Sequence, residues 1–180
     1  MIEIRRIGPD DGPVLRELRL AALTDSPWAF GSTFERETAF TDQTWRERAG
    51  EASAGSDRAL FLAAFPAARD RSVIGLAGGM RSTGRPEVIE LVSMWVAPEG
   101  RQRGTGRLLV AAVTAWAATT DARRLELWVT VGNERAHRLY LACGFVEQGD
   151  HQPLPSDPCR DELRMVRPLG PDPAEPEEHS

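Results

Sequence analysis

Residues 89–118, IELVSMWVAPEGRQRGTGRLLVAAVTAWAA, decide the fold. The apolar and β-branched residues 89–96 predict a buried strand. Pro98 and Gly100 end it, because proline has no N–H for a ladder and glycine frees the backbone. A largely apolar helix follows at residues 108–118. Because the first amides of a helix lack internal partners and its dipole favours an anion there, this strand, loop and helix predict a phosphate-binding site.

The loop between the strand and the helix carries residues suited to that task. Gly104 and Gly106 let the backbone approach phosphate oxygens, and they permit φ > 0. Arg101, Arg103 and Arg107 add cationic hydrogen-bond donors around the same position. The loop is therefore expected to bind a phosphate or pyrophosphate group.

Three kinds of anion site compete for this loop. A P-loop nucleotide site requires a lysine after its second glycine, but all 22 basic residues of the chain are arginines. A dinucleotide-binding fingerprint requires Gly-x-Gly-x-x-Gly in a first βα turn, and the glycines here stand in a different order. The third ligand, the pyrophosphate of coenzyme A, fits the loop.

Two motifs resemble those of a known family. RQRGTG at residues 101–106 resembles the acyl-CoA motif, Arg/Gln-x-x-Gly-x-Gly/Ala, of the GNAT N-acetyltransferase superfamily. NERAHRLYLACGF at residues 133–145 is similar to the family's second cofactor segment, and a strand-like stretch at residues 125–131 separates the two. The specific part of the resemblance lies within residues 90–145, and the whole of it covers about residues 2–169.

The resemblance implies a set of cofactor contacts. The backbone of residues 94–96 would pair with the pantetheine arm and offer an amide to the oxyanion. The amides of residues 102–107 would hold the pyrophosphate, and a helical asparagine would contact the cofactor arm while also serving as an N-cap. The expected cofactor-binding residues are Met94, Trp95, Val96, Arg101, Gln102, Arg103, Gly104, Thr105, Gly106, Arg107, Asn133 and Tyr140.

Two residues are the catalytic candidates that the resemblance implies. Tyr140 matches the family tyrosine that protonates the departing thiolate; the alternative is a tyrosine that only packs in the core. Donation from a phenol to a thiolate is uphill by roughly 1.5 pKa units, or ~2 kcal/mol, which is small beside the ~8 kcal/mol or more that enzymes remove from barriers. Glu90 matches a central-strand glutamate that deprotonates the amine through water; the alternative is a surface charge. Trp128 stands where other members place a glutamate.

We expect the acceptor to contact two loops to which no cofactor contact is assigned, residues 28–40 and 149–160. The first loop could also be pinned to the core by its two aromatic side chains. Acidic side chains in both loops could attract a cationic amine. The candidate acceptor-binding residues are Trp28, Phe30, Glu35, Glu37 and Asp150.

Composition excludes several other classes of protein. A net charge of −5 disfavours nucleic acid as a partner, and three histidines and two cysteines without metal-ligand spacing predict no metal site. The longest nearly apolar run, residues 108–118, is about half the ~20 residues that span a bilayer, so we expect no membrane contact. The start of the chain lacks an apolar signal segment, which favours a cytoplasmic protein.

The order of predicted elements is β-α-α-β-β-β-α-β-α-β-β, that of an α/β protein with a mixed sheet. One domain is expected at residues 1–169 and a disordered, acidic, proline-rich tail at residues 170–180. The resemblance implies a GNAT-like fold whose central strands splay apart around acyl-CoA, and it admits a homodimer.

The function that follows is an N-acetyltransferase. It would move an acetyl group from acetyl-CoA to a primary amine of a small molecule or of a peptide or protein N-terminus, by direct attack in a ternary complex. The alternative is a catalytically inactive module that binds acetyl-CoA as a sensor or scaffold. A nucleotide-binding protein of another kind is a more distant reading.

Overall fold

The computed structural model describes residues 1–66 and 72–170. The predicted loop at residues 66–72 lies mostly outside these residues, as does the predicted tail beyond Gly170. The elements are β1 Glu3–Arg6, α1 Gly12–Asp25, α2 Phe34–Thr38, α3 Asp42–Ser53, β2 Arg58–Ala64, β3 Val73–Ser82, β4 Arg85–Val96, α4 Thr105–Ala117, β5 Arg124–Thr130, α5 Glu134–Ala142, β6 Val146–Leu154 and β7 Asp157–Pro168.

The described strands form one mixed sheet in the order β1-β2-β3-β4-β5-β7-β6. Helix α4 packs against one face of β2–β4, close enough that a Cβ on Gly79 would meet the Trp116 ring at 2.5 Å. Successive strand residues point to opposite faces, and helices α1 and α3 pack against the same strands from the other face. The α/β fold with a mixed sheet is therefore confirmed.

The centre of the sheet opens where β4 meets β5. These parallel strands pair at only three positions, and Glu90 opposite Glu126 is the last of them. A bulge follows in β4, where Ser93 has φ 56° and the register with β3 shifts. Because pairing stops there, the two strands diverge and leave a V-shaped gap, as the family resemblance implies.

The segment at residues 149–160 was wrongly predicted as a loop. It is an antiparallel hairpin in which β6 continues to Leu154 and β7 begins at Asp157. Strand β6 lies at the edge of the sheet. Proline is tolerated there, at Pro153, because an edge strand has one side without a partner strand that would need its N–H. Its outer position also leaves most of its residues exposed, so no alternating apolar pattern marks it as a strand.

One additional helix and one helix boundary also differ from the predictions. Residues 34–38 form the additional short helix α2, which Thr33 caps by accepting a hydrogen bond from the Arg36 N–H. Helix α4 begins at Thr105, three residues before the predicted apolar stretch. The three residues before Leu108 are a threonine, a glycine and an arginine, which carry no apolar periodicity, whereas the left-handed N-cap at Gly104 marks the true start.

Candidate active site

A cleft of about 850 Å³ occupies the gap between β4 and β5. Met94–Val96 form one wall and Trp128–Thr130 the other, while the first turns of α4 and α5 close one end. The remaining lining residues are Ser26, Trp28, Ala29, Phe30, Gly100, Arg101, Gln102, Gly104, Thr105, Gly106, Arg107, Gly132, Asn133, Glu134, Arg135, Ala136, Arg138, Leu139 and Tyr140.

The loop before α4 has the backbone geometry of an anion site. Gln102 and Gly104 both adopt left-handed conformations, with φ 60° and 80°, and Gly104 is the N-cap of α4. The Thr105 hydroxyl donates to the Gly100 carbonyl at 2.6 Å, which fixes the loop against the helix. The N-cap and the first residues of α4 line the cleft, where an anion can accept hydrogen bonds from the unpaired amides of the first turn.

The three arginines of the loop already have protein partners. Arg101 donates to the Val96 carbonyl at 2.9 Å and also pairs with Asp25. Arg107 donates to the Ala142 carbonyl at 3.0 Å. Arg103 does not line the cleft; it donates to a main-chain carbonyl of its own loop and lies over an aromatic ring. The backbone amides are thus the uncommitted donors of the loop.

Two further cations in the cleft escaped the sequence analysis. Arg135 and Arg138 lie on α5 and line the same cleft as the α4 loop, and Arg138 pairs with Glu134 at 3.9 Å. The two arginines are three residues apart, which places them on one side of the helix. That spacing was the available signal, but surface arginines on a helix are common and the pattern carries little weight alone.

Tyr140 is buried and reaches the cleft. Its ring packs edge-to-face against Phe145 at 5.8 Å, which accounts for the core contact that the sequence allowed as an alternative. Among the described residues, none forms a hydrogen bond with its hydroxyl. Burial raises the pKa of Tyr140, and the neighbouring Cys143 raises it further. The phenol therefore stays protonated at neutral pH and has a proton to donate.

Asn133 opens α5 at the rim of the cleft. Its side-chain oxygen accepts a hydrogen bond from the Ala136 N–H at 3.2 Å, so it is an N-cap. Because the cap uses only the oxygen, the side-chain NH₂ group keeps two donors. The capping role and a contact with a cofactor arm are compatible.

Glu90 lies at the closed vertex of the gap and does not line the cleft. Its carboxylate accepts a hydrogen bond from Ser82 at 2.5 Å and faces Arg85 at 3.5 Å. Beside it, Glu126 is buried. Burial raises the pKa of Glu126, but hydrogen bonds from Arg85 and Arg124 outweigh this and lower the pKa overall. Glu126 is therefore an ionised structural partner of arginines.

The two aromatic residues of the acceptor loop have different places. Phe30 is buried in the core, and its carbonyl accepts a hydrogen bond from Ser156. Trp28 is partly exposed, lines the cleft, and accepts a hydrogen bond from Thr130 at its carbonyl, at 3.0 Å. The loop is thus pinned to the strands at Phe30 and lines the cavity at Trp28, so both expectations hold in part.

The three acidic candidates also separate. Glu35 is exposed and, with Trp28, lines a neighbouring cavity of about 660 Å³. Asp150 forms an ion pair with Arg164. Glu37 is buried, and its carboxylate accepts two hydrogen bonds from Arg19, at 2.5 and 3.1 Å. Of these three carboxylates, only that of Glu35 therefore forms no ion pair within the described part of the chain.

The buried pair predicts a large effect on stability. Replacing Glu37 with alanine leaves the buried Arg19 without its counter-ion, so we expect the free energy of unfolding to fall by about 3–5 kcal/mol. Urea denaturation of the two proteins measures this. Glu35→Ala, in the same short helix but exposed, should change it by less than about 0.5 kcal/mol. Equal effects of the two substitutions would contradict the importance of the pair.

The same pair gives stability a pH dependence. Burial raises the pKa of Glu37, but Arg19 and Arg48 outweigh this and lower the pKa overall. A carboxyl whose pKa is lowered in the folded state stabilises the fold at pH values above its unfolded pKa of about 4.3. This contribution is lost as the pH falls through the folded pKa. The difference in free energy of unfolding between the parent protein and Glu37→Ala should therefore become smaller below about pH 4.

Within residues 1–66 and 72–170, no group of three or more histidine, cysteine, aspartate or glutamate side chains could hold a metal ion. No helix in this part of the chain is long and apolar enough to cross a membrane.

Comparison with known proteins connects this geometry to a family. The model of the Acetyltransferase (GNAT) family matches residues 19–145. Aminoglycoside N(6')-acetyltransferase type 1 from Stenotrophomonas maltophilia is 32% identical over 107 residues, which are 56% of this chain and 68% of that protein.

Two solved structures share the fold. One is yncA from Salmonella typhimurium with its cofactor acetyl-CoA, with a TM-score of 0.75, 16% identity and 99% of each chain covered. The other is spermidine N-acetyltransferase from Vibrio cholerae in complex with CoA and spermine, with a TM-score of 0.69, 19% identity, and 93% of this chain and 95% of that one covered. The motifs, the splayed sheet and the family match together show that the chain belongs to the GNAT family of acetyltransferases and is an acyltransferase.

Proposed function

We propose that this acyltransferase uses acetyl-CoA to acetylate a primary amine of a small molecule or of a peptide N-terminus, by direct attack in a ternary complex. One observation carries the proposal: a single cleft joins the uncommitted helix N-terminal amides of α4 to the unbonded hydroxyl of Tyr140. A phosphate site and a proton donor therefore face the same space. Two of the three proteins named above, the aminoglycoside and the spermidine N-acetyltransferases, act on amines according to their names.

The cofactor would lie along the β4 wall. Its pyrophosphate accepts hydrogen bonds from the amides of residues 102–107, where the helix dipole also favours negative charge. The pantetheine arm pairs with the backbone of Met94–Val96, which has no β5 partner because the strands have diverged. The side-chain NH₂ group of Asn133 contacts the same arm. Arg135 on α5 would add positive charge beside the cofactor.

Acetyl transfer then proceeds in two bond changes. The neutral amine attacks the thioester carbon, and the oxyanion that forms accepts a hydrogen bond from a β4 main-chain amide beside the bulge. The carbon–sulfur bond then breaks, and the departing thiolate takes the proton of the Tyr140 hydroxyl. Burial raises the pKa of Tyr140, and a thiolate in the same cleft would also be disfavoured by burial, which offsets part of the cost of the transfer.

Direct attack is favoured because the cleft offers no second nucleophile. Neither Cys143 nor Cys159, the two cysteines of the chain, lines it. Its three aliphatic hydroxyls, on Ser26, Thr105 and Thr130, each donate a hydrogen bond within the protein. An acetyl-enzyme intermediate would need one of them to be released and activated by a base. The only carboxylate among their three acceptors is that of Asp25, and it already accepts hydrogen bonds from Trp95 and Arg101.

Glu90 is the proposed base. It is separated from the cleft lining, so it would accept the amine proton through water at the vertex of the strands. Its partners Ser82 and Arg85 hold the carboxylate at that position. The acceptor would approach across Trp28, which lines both the cleft and the cavity that contains Glu35.

Thiol release tests this proposal directly. The protein is mixed with acetyl-CoA and, in separate reactions, with polyamines, an aminoglycoside, amino acids and short peptides, and free thiol is measured over time. We expect release that depends on at least one amine. Binding of acetyl-CoA without release for any amine would support the sensor module and contradict the enzyme.

A further inference from the structure

Next to the cleft lies a cavity of about 410 Å³ between helices α1–α3 and strands β2–β4. We call it the arginine pocket, because its charged lining consists of four arginines and one glutamate. Four guanidinium groups against one carboxylate leave a formal excess of three positive charges, in a chain whose net charge is −5. The charged residues are Arg19, Arg36, Arg48, Arg58 and Glu37.

Glu37 cannot pair with all four arginines of the pocket. Glu37 places both of its oxygens on Arg19, and it approaches Arg48 only to 3.6 Å. As a result, Nη1 of Arg48 is buried without a hydrogen-bond partner within the described chain. Burial lowers the pKa of Arg48; Glu37 partly offsets this, while the positive charges of Arg19 and Arg58 lower it further. An additional anion would relieve both the unmet donor and the repulsion.

A second arginine of the pocket is also uncommitted. Arg36 is exposed, and in residues 1–66 and 72–170 its guanidinium has no ion pair or hydrogen bond. Arg58, in contrast, donates to Met80 and pairs with Glu51. Arg36 and Arg48 therefore present the free donors, and guanidinium groups match the two oxygens of a carboxylate or phosphate in fixed geometry.

The arginine pocket adjoins the reaction cleft. Gly31 and Ser93 line the pocket, and their chain neighbours Phe30 and Met94 line the cleft. Arg19 bridges this boundary, because its guanidinium lies 5.1 Å from the centre of the Phe30 ring and donates to the Ser93 hydroxyl at 3.4 Å. Ser93 is the bulge residue of β4, so the pocket begins at the point where the strands diverge.

We propose that the acceptor is an amine that also carries an oxyanion, a carboxylate or a phosphate. The oxyanion binds Arg36 and Arg48 in the arginine pocket while the amino group enters the cleft. This inference rests on the proposed acetyl transfer and adds the class of acceptor to it. A polyamine or aminoglycoside without an anionic group would meet repulsion in this pocket, which is opposite to the cationic attraction expected from Glu37 in the sequence.

Matched amines separate these possibilities. Thiol release is measured with saturating acetyl-CoA for the ω-amino acids from glycine to 6-aminohexanoate and for the corresponding amides. Phosphoethanolamine and ethanolamine form a second pair, and the better anionic partner identifies the oxyanion. For the best chain length we expect kcat/KM to be at least about tenfold higher for the anionic member, the usual weight of a charge-assisted hydrogen bond.

Variants locate the effect. Arg36→Gln, and Arg36→Gln combined with Arg48→Gln, should reduce that preference to about twofold or less, mainly by raising KM for the anionic amine. The first substitution is at an exposed position, so folding is secure. Arg46→Gln is the matched control, because Arg46 lies on α3 but is exposed and outside the pocket; it should keep the full preference.

A binding measurement separates the two levels of the proposal. Melting temperatures are recorded with each anionic amine and its neutral partner in the absence of acetyl-CoA. If only the anionic member raises the melting temperature, and the arginine variants lose this rise, the result supports anion binding in the arginine pocket. The same result without thiol release for any amine would contradict the proposed acetyl transfer and leave the pocket supported. Equal responses to both members in binding and turnover, including no response to either, overturn the inference.

Discussion

Turnover should fall by roughly 10²–10⁴ in Tyr140→Phe, the usual contribution of a positioned general acid. The substitution removes only the hydroxyl, which has no hydrogen-bond partner in the described chain, and it keeps the edge-to-face contact with Phe145. The free energy of unfolding should therefore change little, because no polar partner is left unsatisfied. Steady-state thiol release with any amine that the parent acetylates measures the loss.

Acetyl-CoA binding distinguishes chemistry from structure in this variant. The phosphates are held at α4, away from the phenol, so the dissociation constant should stay within a few-fold of the parent value. A Tyr140→Phe protein that turns over as fast as the parent would remove Tyr140 from the mechanism and leave water as the proton source. A protein that loses both turnover and binding would instead give Tyr140 a purely structural role.

Loss of the acetyl-CoA-dependent rise in melting temperature is the second large effect, expected in Gly104→Val. In the parent, acetyl-CoA at a hundred times its dissociation constant should stabilise the fold by about 2.7 kcal/mol, or roughly 5–10 °C. The valine would place a branched side chain at a left-handed N-cap, φ 80°, where phosphate must approach the backbone. Thermal unfolding with and without acetyl-CoA measures the shift.

Backbone strain alone needs its own control. Gly84 has nearly the same φ as Gly104, 79°, but lies in the β3–β4 turn. At both glycines, an added Cβ would have no atom within 4 Å. Gly84→Val should lower the melting temperature of the free protein by a similar amount and keep the full shift with acetyl-CoA. A full shift in Gly104→Val would place the cofactor elsewhere.

The sequence predicted β4, the glycine loop and α4 because local sequence patterns specify each of them. Strand β4, the glycine loop and the apolar face of α4 follow one another without a gap, and their periodicity and breakers specify each element. The divergence of β4 from β5 came only from the family resemblance. It depends on where pairing stops, at Glu90 and Glu126, and no periodicity records the end of a parallel ladder.

The charge pattern of the site could not be foreseen for a related reason. The acidic residues Glu35 and Glu37 looked equivalent in the sequence, but the helix turn between them exposes one and buries the other against Arg19. Likewise, Arg101 binds Asp25, which is 76 positions away in the chain. Ion pairs between distant segments set which charges remain available, and they exist only after the chain has folded.

The central claim is that acetyl passes directly from acetyl-CoA to an amine in the cleft. Acetyl-CoA labelled with ¹³C at the carbonyl, followed by NMR in the presence and absence of the best amine, tests it most directly. We predict that the label appears as an amide of the amine, one for each thiol released, and that it stays on acetyl-CoA when no amine is present. Label that becomes attached to the protein, is released as acetate, or never leaves acetyl-CoA with any amine would contradict the claim.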